Sequence, residues 1–323
     1  MTERPAVSVA LCTHNGARYV VEQVRSILAQ SEPPAQVVLS DDASTDDTVA
    51  LVEGLWAGAQ SAPELLVLRN PVALGVTANF EQAVLACTGE LVALCDQDDV
   101  WAPDRLERMV DVFQRSPGLS LLFTDARLVD EAGADLGPSL FEALEVDGND
   151  LRGIRGDGAF AVLLRRNLVT GATVLFRRSL LDSALPFDPD WVHDEWLAII
   201  AAITGRVDFL PLQLIEYRQH GGNQIGARKP TLRDKIGRVT ESRTARNARL
   251  SARAQALVDR GGYPPEIATL VAQKAAHEQR RQRYPAARLL RLGPVLRTAL
   301  SGDYGRYGRG RYDVVRDLLQ PDA

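Results

Sequence analysis

Apolar and polar positions switch repeatedly between two periods along the first hundred residues. "VSVALC" (Val7 to Cys12) has the length and composition of a buried strand. "THNGARYVVEQVRSILAQ" then changes to a helical period, with Tyr19, Val20, Val24, Ile27 and Leu28 on one face. "QVVLSDDASTDDTVALVEGLWAG" repeats the unit: an apolar strand, a polar loop, then a helix with Ser44 or Thr45 as cap, Asp46 and Asp47 in the first turn and Gly58 near its stop. A third strand at "LLVLRN" leads through "PVALGV" into the helical "TANFEQAVLACTG", and "ELVALC" is the fourth strand. Strands alternating with helices in this way predict an α/β fold with a mostly parallel sheet, which binds ligands beyond the carboxyl ends of its strands. Four polar clusters occupy those ends: Thr13-His14-Asn15-Gly16, Asp41-Asp42, Asn70, and Asp96-Gln97-Asp98-Asp99. All four should converge on one rim.

The last cluster carries the most chemistry. Three carboxylates in four positions directly after a buried strand oppose one another unless a cation sits among them. Magnesium or manganese suits such a site, since hard ions take oxygen ligands from one or two carboxylates and from substrate phosphates. Asp41 and Asp42 are either ligand groups or loop residues, while Asp46, Asp47 and Asp104 read as helix caps.

Charge divides the chain. Residues 1–226 hold 16 Arg and no Lys against 33 Asp and Glu, a net of −17; residues 227–323 hold 21 basic against 9 acidic, a net of +12. We therefore expect a catalytic domain over 1–226 and a basic, mainly helical extension over 227–323, with Pro230 as the break. From Leu232 to Leu290 the sequence reads helical, and in "RVTESRTARNARLSARAQAL" Arg243, Arg246, Arg249 and Arg253 are three or four residues apart. They read as a solvated face or, alternatively, as a surface attracted to an anionic bilayer; no motif for nucleic acid accompanies them. His277 reads as a surface group, and the Gly/Arg/Tyr-rich "GDYGRYGRGRYDVVRDLL" has no assignment. Cys12, Cys87 and Cys95 form no C-x-x-C pair, and the N-terminus lacks the long apolar region of an export signal. The expectation is a reducing cytoplasm.

Competing motifs fare poorly. An ATPase site needs a Gly-Lys pair, and the chain has none. "GDGAFA" (Gly156 to Ala161) fits G-x-G-x-x-A but follows no strand. "DQDDV" also fits the signature of haloacid-dehalogenase-like phosphatases, with Asp96 as nucleophile. That family places it after the first strand and adds a later lysine, whereas here it follows the fourth and all lysines lie in the basic tail. A non-catalytic sugar-nucleotide-binding protein is the third reading.

"VSVALCTHNGARYVVEQVRSILAQ", "LSDDASTDDT", "NPVALGVTANFEQA", "GELVALCDQDDVWAPDRLE" and "VHDEWLAIIAAITG" resemble, in that order, the motifs of the glycosyltransferase family 2 catalytic domain. The resemblance covers roughly residues 6–226 and implies the nucleotide-sugar-binding GT-A fold. "DQDDVW", "TGATVLFRRSLL", "HDEW" and "YRQHGGNQIGA" are most similar to its rhamnosyltransferase branch, which implies dTDP-L-rhamnose as donor and a saccharide or lipid-linked acceptor in surface-polysaccharide synthesis. On this resemblance Thr13, Asn15 and Asp41 or Asp42 hold the base and ribose, with Gly75 and Asn79 nearby. Asp96, Gln97 and His220 complete the donor site, and Asp98, Asp96 and His220 are the implied ligands of Mg2+ or Mn2+. The implied base is Asp194, with Glu195 open as the alternative because many members carry an aromatic there. His220, with Gln219 and Asn223 in a glycine-rich loop, covers the diphosphate or metal or is structural; His14 and His193 lie beside motif residues and are expected to orient or contact the ligand. Trp101, Trp191 and Trp196 line an acceptor cleft or pack the core.

Overall fold

The computed structural model describes residues 4–221 and 242–322. The predicted β-α units are β1 (Val7–Thr13), α1 (Val20–Leu28), β2 (Gln36–Asp41), α2 (Thr48–Gly58), β3 (Glu64–Arg69), α3 (Val76–Ala86) and β4 (Leu91–Cys95). Every residue of β1, β2 and β4 is buried. That is why their sequences are continuous apolar runs: a strand inside a parallel sheet covered on both faces has no solvent side. The chain continues with β5 (Val100–Trp101), α4 (Arg105–Arg115), β6 (Leu119–Val129), β7 (Asp135–Ser139), α5 (Leu140–Ala143), α6 (Gly148–Arg155), α7 (Ala159–Arg165), β8 (Leu175–Arg177), α8 (Leu181–Ala184), α9 (His193–Thr204) and β9 (Arg206–Arg218).

The sheet order is β3-β2-β1-β4-β8-β6-β9-β5, with β7 paired to β6. β3, β2, β1 and β4 are parallel, as expected. Beyond β4 the sheet is mixed: β8 runs antiparallel to both β4 and β6, β9 parallel to β6, and β5 antiparallel to β9. Strands of two or three residues such as β5 and β8 are too short to show a hydrophobic period. The core gathers Val9, Leu11, Val24, Ile27, Leu39 and Trp101 among others. All three cysteines are buried and free.

Some local expectations shift. α2 starts at Thr48 because Ser44 is engaged by Asp41. Asp47 stands at the N-cap position and makes no side-chain cap bond, while Asp46, one residue earlier, accepts at Oδ1 from Thr48 N–H and at Oδ2 from Ala17 N–H, each at 3.1 Å. Asp104 stands at the N-cap of α4 but pairs with Arg108 at 2.5 Å instead of capping. Trp101, Trp191 and Trp196 are each at most 9% exposed, so all three pack the core rather than line an open cleft.

By Cα proximity the chain forms two units, residues 1–155 with 168–229, and residues 156–167 with 230–323. The expected boundary at 226/227 lies outside the described residues, as do Asn223 and Pro230; α7, earlier in the chain, groups with the second unit. There the described helices are α10 (Arg243–Arg260), α11 (Pro265–Gln282), α12 (Arg288–Leu300), α13 (Asp303–Tyr307) and α14 (Arg311–Leu319). α10 packs along α11, and α12 against α14, around Tyr284, Val295 and Tyr304.

Several arginines of this unit are internal, contrary to a purely solvated face. Arg243, Arg246, Arg281 and Arg291 are at most 4% exposed. Arg281 bonds Asp317 at 2.7 Å and Glu278 at 2.8 Å, Lys274 bonds Glu278 at 2.7 Å, and Arg246 pairs with Asp313 and Asp317. Spacing of three or four residues marks one helix face without saying whether it points in or out, and the carboxylates on α14 that turn it inward lie far along the chain. His277 is corrected likewise: it is 1% exposed, edge-on to Tyr304 at 5.4 Å, and burial pushes its imidazole down to about 4. Among the described residues no helix is long and apolar enough to cross a membrane.

Candidate functional site

The four polar strand ends are bonded to one another. Thr13 Oγ1 donates to Asp41 Oδ1 at 2.7 Å, and Asp41 also accepts from Ser44 N–H and Oγ–H at 2.9 and 2.5 Å. Asp42 accepts from the N–H groups of Leu74 and Gly75 at 2.6 and 2.9 Å and from Asn70 Nδ2 at 3.1 Å. Gly75 caps α3 at φ +87°, a conformation that favours glycine. Asn79 is 3% exposed and spends both ends of its amide on Ser40, while Asn15 Oδ1 accepts from Thr45 N–H at 2.8 Å. Gln97 clamps the β1 loop: Oε1 accepts from His14 N–H at 2.8 Å and Nε2 donates to His14 O at 3.0 Å. A Cβ on Gly16 would lie 2.1 Å from Gln97 Oε1, so any larger residue would push the Gln97 amide off the β1 loop. Thr13, Asn15, Asp41, Asp42, Gly75 and Gln97 therefore meet at one rim and fix its shape, and Asn79 braces it from behind β2.

The carboxylates after β4 lie on the same rim. Asp96 is pushed up to about 8, first by burial and then by the charges of Asp98 and Asp194. Asp98 Oδ2 is 2.7 Å from His220 Nε2, and the His220 ring stacks on Tyr19 at 4.7 Å. Asp99 is 1% exposed and accepts from Arg218 N–H at 3.0 Å; burial holds its carboxyl well above the usual range. Asp194 sits in the first turn of α9, 7% exposed, its Oδ2 accepting from Gly171 N–H at 2.8 Å and its Oδ1 from Glu195 N–H at 2.6 Å. Of the pair, it is Asp194 whose charge acts on Asp96. His193 packs instead of facing a ligand: its ring lies 3.8 Å from that of Phe80, and burial lowers its imidazole. His14 is exposed, its Nδ1 2.6 Å from Asp42 O.

Three contributors escaped the sequence reading. Arg218, 4% exposed, donates from Nε to Asp98 O at 2.8 Å and from Nη1 to Glu131 O at 3.0 Å, and pairs with Glu22. Gly171 orients Asp194, and Tyr19 carries His220. Arg218 lies inside the quoted "YRQH" run, where a charge closing an apolar strand was the available signal.

Among the described residues no three His, Cys, Asp or Glu side chains form a ready metal cage, and His220 and Asp98 face each other rather than a shared point. The donor chemistry nevertheless fits a divalent ion. Asp96 and Asp98 offer two hard-oxygen carboxylates two residues apart, the ligand type that Mg2+ or Mn2+ takes alongside substrate phosphates.

The family model for glycosyl transferase family 2 matches residues 8–182, more than half of the chain. An uncharacterized glycosyltransferase of Nostoc sp. is 30% identical over 230 residues, 67% of this chain and 66% of that protein. An uncharacterized protein of Mycobacterium tuberculosis is 31% identical over 221 residues, 66% of this chain and 59% of that one. The chain thus spans less than two thirds of the length of these curated relatives. The dTDP-rhamnosyl transferase RfbG of Shigella flexneri is 26% identical over 232 residues, 67% of this chain and 74% of that one. The mannosyltransferase of Pyrobaculum calidifontis in complex with GDP-Man and Mn2+ superposes with a TM-score of 0.60 at 20% identity, covering 98% of this chain and 85% of that one. S. aureus TarS 1-349 in complex with UDP-GlcNAc gives 0.60 at 16% identity, covering 97% and 89%. These two share the fold. With a family model that matches the chain from β1 into α8, the chain belongs to glycosyl transferase family 2.

Proposed function

We propose that this protein is an inverting, divalent-metal-dependent glycosyltransferase that moves a sugar, L-rhamnose from dTDP-L-rhamnose, onto a hydroxyl of a saccharide or lipid-linked acceptor of a bacterial surface polysaccharide. One observation carries the reading: Asp194, oriented by two backbone N–H groups, acts electrostatically on Asp96 at the strand-end rim. The relative RfbG, a dTDP-rhamnosyl transferase, supports the donor, and the Mn2+ and GDP-Man of the mannosyltransferase support the metal and the class of donor.

In this mechanism the β1 and β2 loops, shaped by Thr13, Asn15, Asp41 and Asp42, receive the nucleotide. Asp98 and Asp96, with His220 beside them, would hold the metal, which would supply positive charge to stabilise the departing diphosphate. Asp194 takes the proton of the acceptor hydroxyl as that oxygen bonds the anomeric carbon from the opposite face. The bond from that carbon to the diphosphate oxygen breaks, and its electron pair leaves with the nucleotide. Positioned proton transfer of this kind is worth about 10² to 10⁴ in rate. The Gly171 and Glu195 N–H groups keep the Asp194 carboxylate aimed.

The test pairs binding with transfer. A panel of dTDP-rhamnose, UDP-GlcNAc and GDP-Man with Mg2+ or Mn2+ is read by thermal shift, and nucleotide release is measured with an added acceptor. dTDP-rhamnose should stabilise most, and Asp194→Asn should keep that shift while losing turnover. Undiminished turnover in Asp194→Asn would remove the base from the mechanism.

A further inference from the structure

The exposed leucines of α12 are the least expected feature of the surface. Leu289, Leu292, Leu296 and Leu300 recur every three or four residues and are 90, 49, 48 and 88% exposed, while Arg291, Val295 and Thr298 fill the opposite, inward face. α12 is thus apolar on the side that turns away from its own bundle. Tyr312, Val315 and Leu319 make a second stripe of the same spacing on α14, at 61, 46 and 49% exposed, and α14 is the helix against which α12 packs. Scattered surface leucines need no explanation, but four of them on one face of a helix form an apolar strip that ordinarily marks a docking surface.

Charge selects the occupant. On the helical wheel exposed Arg288 and Arg297 flank the leucine stripe on its two sides. Beside it, a cleft of about 600 Å³ between α11 and α12 is lined by Arg280, Arg283, Tyr284 and Arg297. An apolar strip bordered by arginines matches an anionic lipid surface, where leucines enter the acyl boundary and guanidinium groups meet phosphates. A second copy docked by a two-fold axis would bring the same arginines onto one another. At about 1.5 Å per residue the 13 residues of α12 reach about 20 Å, short of the roughly 30 Å hydrocarbon core, so the helix lies along the surface.

We propose that the α12–α14 face docks this protein on an anionic bilayer. The inference does not depend on which sugar is transferred. Its test is co-sedimentation of the full chain with vesicles of phosphatidylcholine alone or mixed equally with phosphatidylglycerol. Wild type should pellet with the mixed vesicles and remain in solution with the neutral ones. Leu289→Glu with Leu296→Glu should weaken binding by well over about tenfold. Arg288→Gln with Arg297→Gln should weaken it about fivefold per arginine, with a shallower salt dependence. Helical circular dichroism and the urea midpoint show whether each variant is folded; should the glutamate variant unfold, the glutamine variant carries the test. Absence of wild-type binding, or full binding by both folded variants, overturns the proposal. So does a concentration-dependent dimer, dissolved by the glutamate pair, without lipid binding.

Discussion

Replacing Asp317 with alanine tests whether the second unit is organised around buried charge. Asp317 has no exposed surface, and around it Arg246, Lys274 and Arg281 face Glu278, Asp313 and Asp317, three cations against three anions. The Asp317 carboxylate takes Arg281 at 2.7 and 3.2 Å and the Tyr304 hydroxyl at 2.8 Å. Without it the cluster holds one uncompensated positive charge with no water to solvate it, and removing one partner of such a pair costs about 3–5 kcal/mol. Asp317→Asn keeps the volume and loses the charge, so it should forfeit most of the same stability. The comparison is Asp303→Ala, whose partner Arg280 is half exposed: a surface pair of that kind is worth about 1 kcal/mol or less. Urea unfolding of the full chain, followed by circular dichroism, measures all three. A loss under about 1 kcal/mol for Asp317→Ala, equal to that of Asp303→Ala, would refute the buried network.

The pH dependence of the same unit isolates His277. Its imidazole titrates at about 4 when folded and near 6.5 when unfolded, so the unfolded chain binds the proton first as pH falls. Stability is intact above about 6.5 and declines by roughly 3 kcal/mol as pH approaches 4. Glu278 and Asp313, held below the usual carboxylate range, contribute their losses only at lower pH, while the raised Asp96 and Asp99 favour the folded chain as pH falls. The share of His277 is therefore the difference between wild type and His277→Leu in the change of urea midpoint from pH 7 to 5. Gly16→Ala drives a methyl into Gln97 and should cost about 1–3 kcal/mol through two lost hydrogen bonds. In a double-mutant cycle Gln97→Ala should add almost nothing to it; additive losses would separate the two residues. A chelator, or Asp98→Asn, should abolish the thermal shift given by the nucleotide sugar, and a shift that survives both would place the metal elsewhere.

The parallel half of the fold was readable because β1, β2 and β4 are buried on both faces and leave unbroken apolar runs. The convergence of Thr13, Asp41, Asp42 and Asp96 followed from the one topological rule that ligands gather beyond carboxyl ends. What did not show was anything that depends on distant pairing. Arg218 looks like the end of a strand until Asp98 and Asp99 are placed beside it. The inward arginines of α10 and α11 look solvated until α14 brings Asp313 and Asp317. Asp46 was read as a helix cap, but the N-cap position falls to Asp47, and Asp46 bonds Thr48 N–H and, across the fold, Ala17 N–H.

β4 is a seam. On one side it pairs parallel with β1 and on the other antiparallel with β8, so the rim loops from Thr13 to Asp99 come from one uninterrupted stretch of chain, while Gly171 and Asp194 arrive from beyond residue 170. The 45 residues between β6 and β8 thus add no strand to the parallel half, yet they carry Glu131 and Gly171, which tie them to Arg218 and Asp194. Variation in this stretch is confined to the positions between those two anchors.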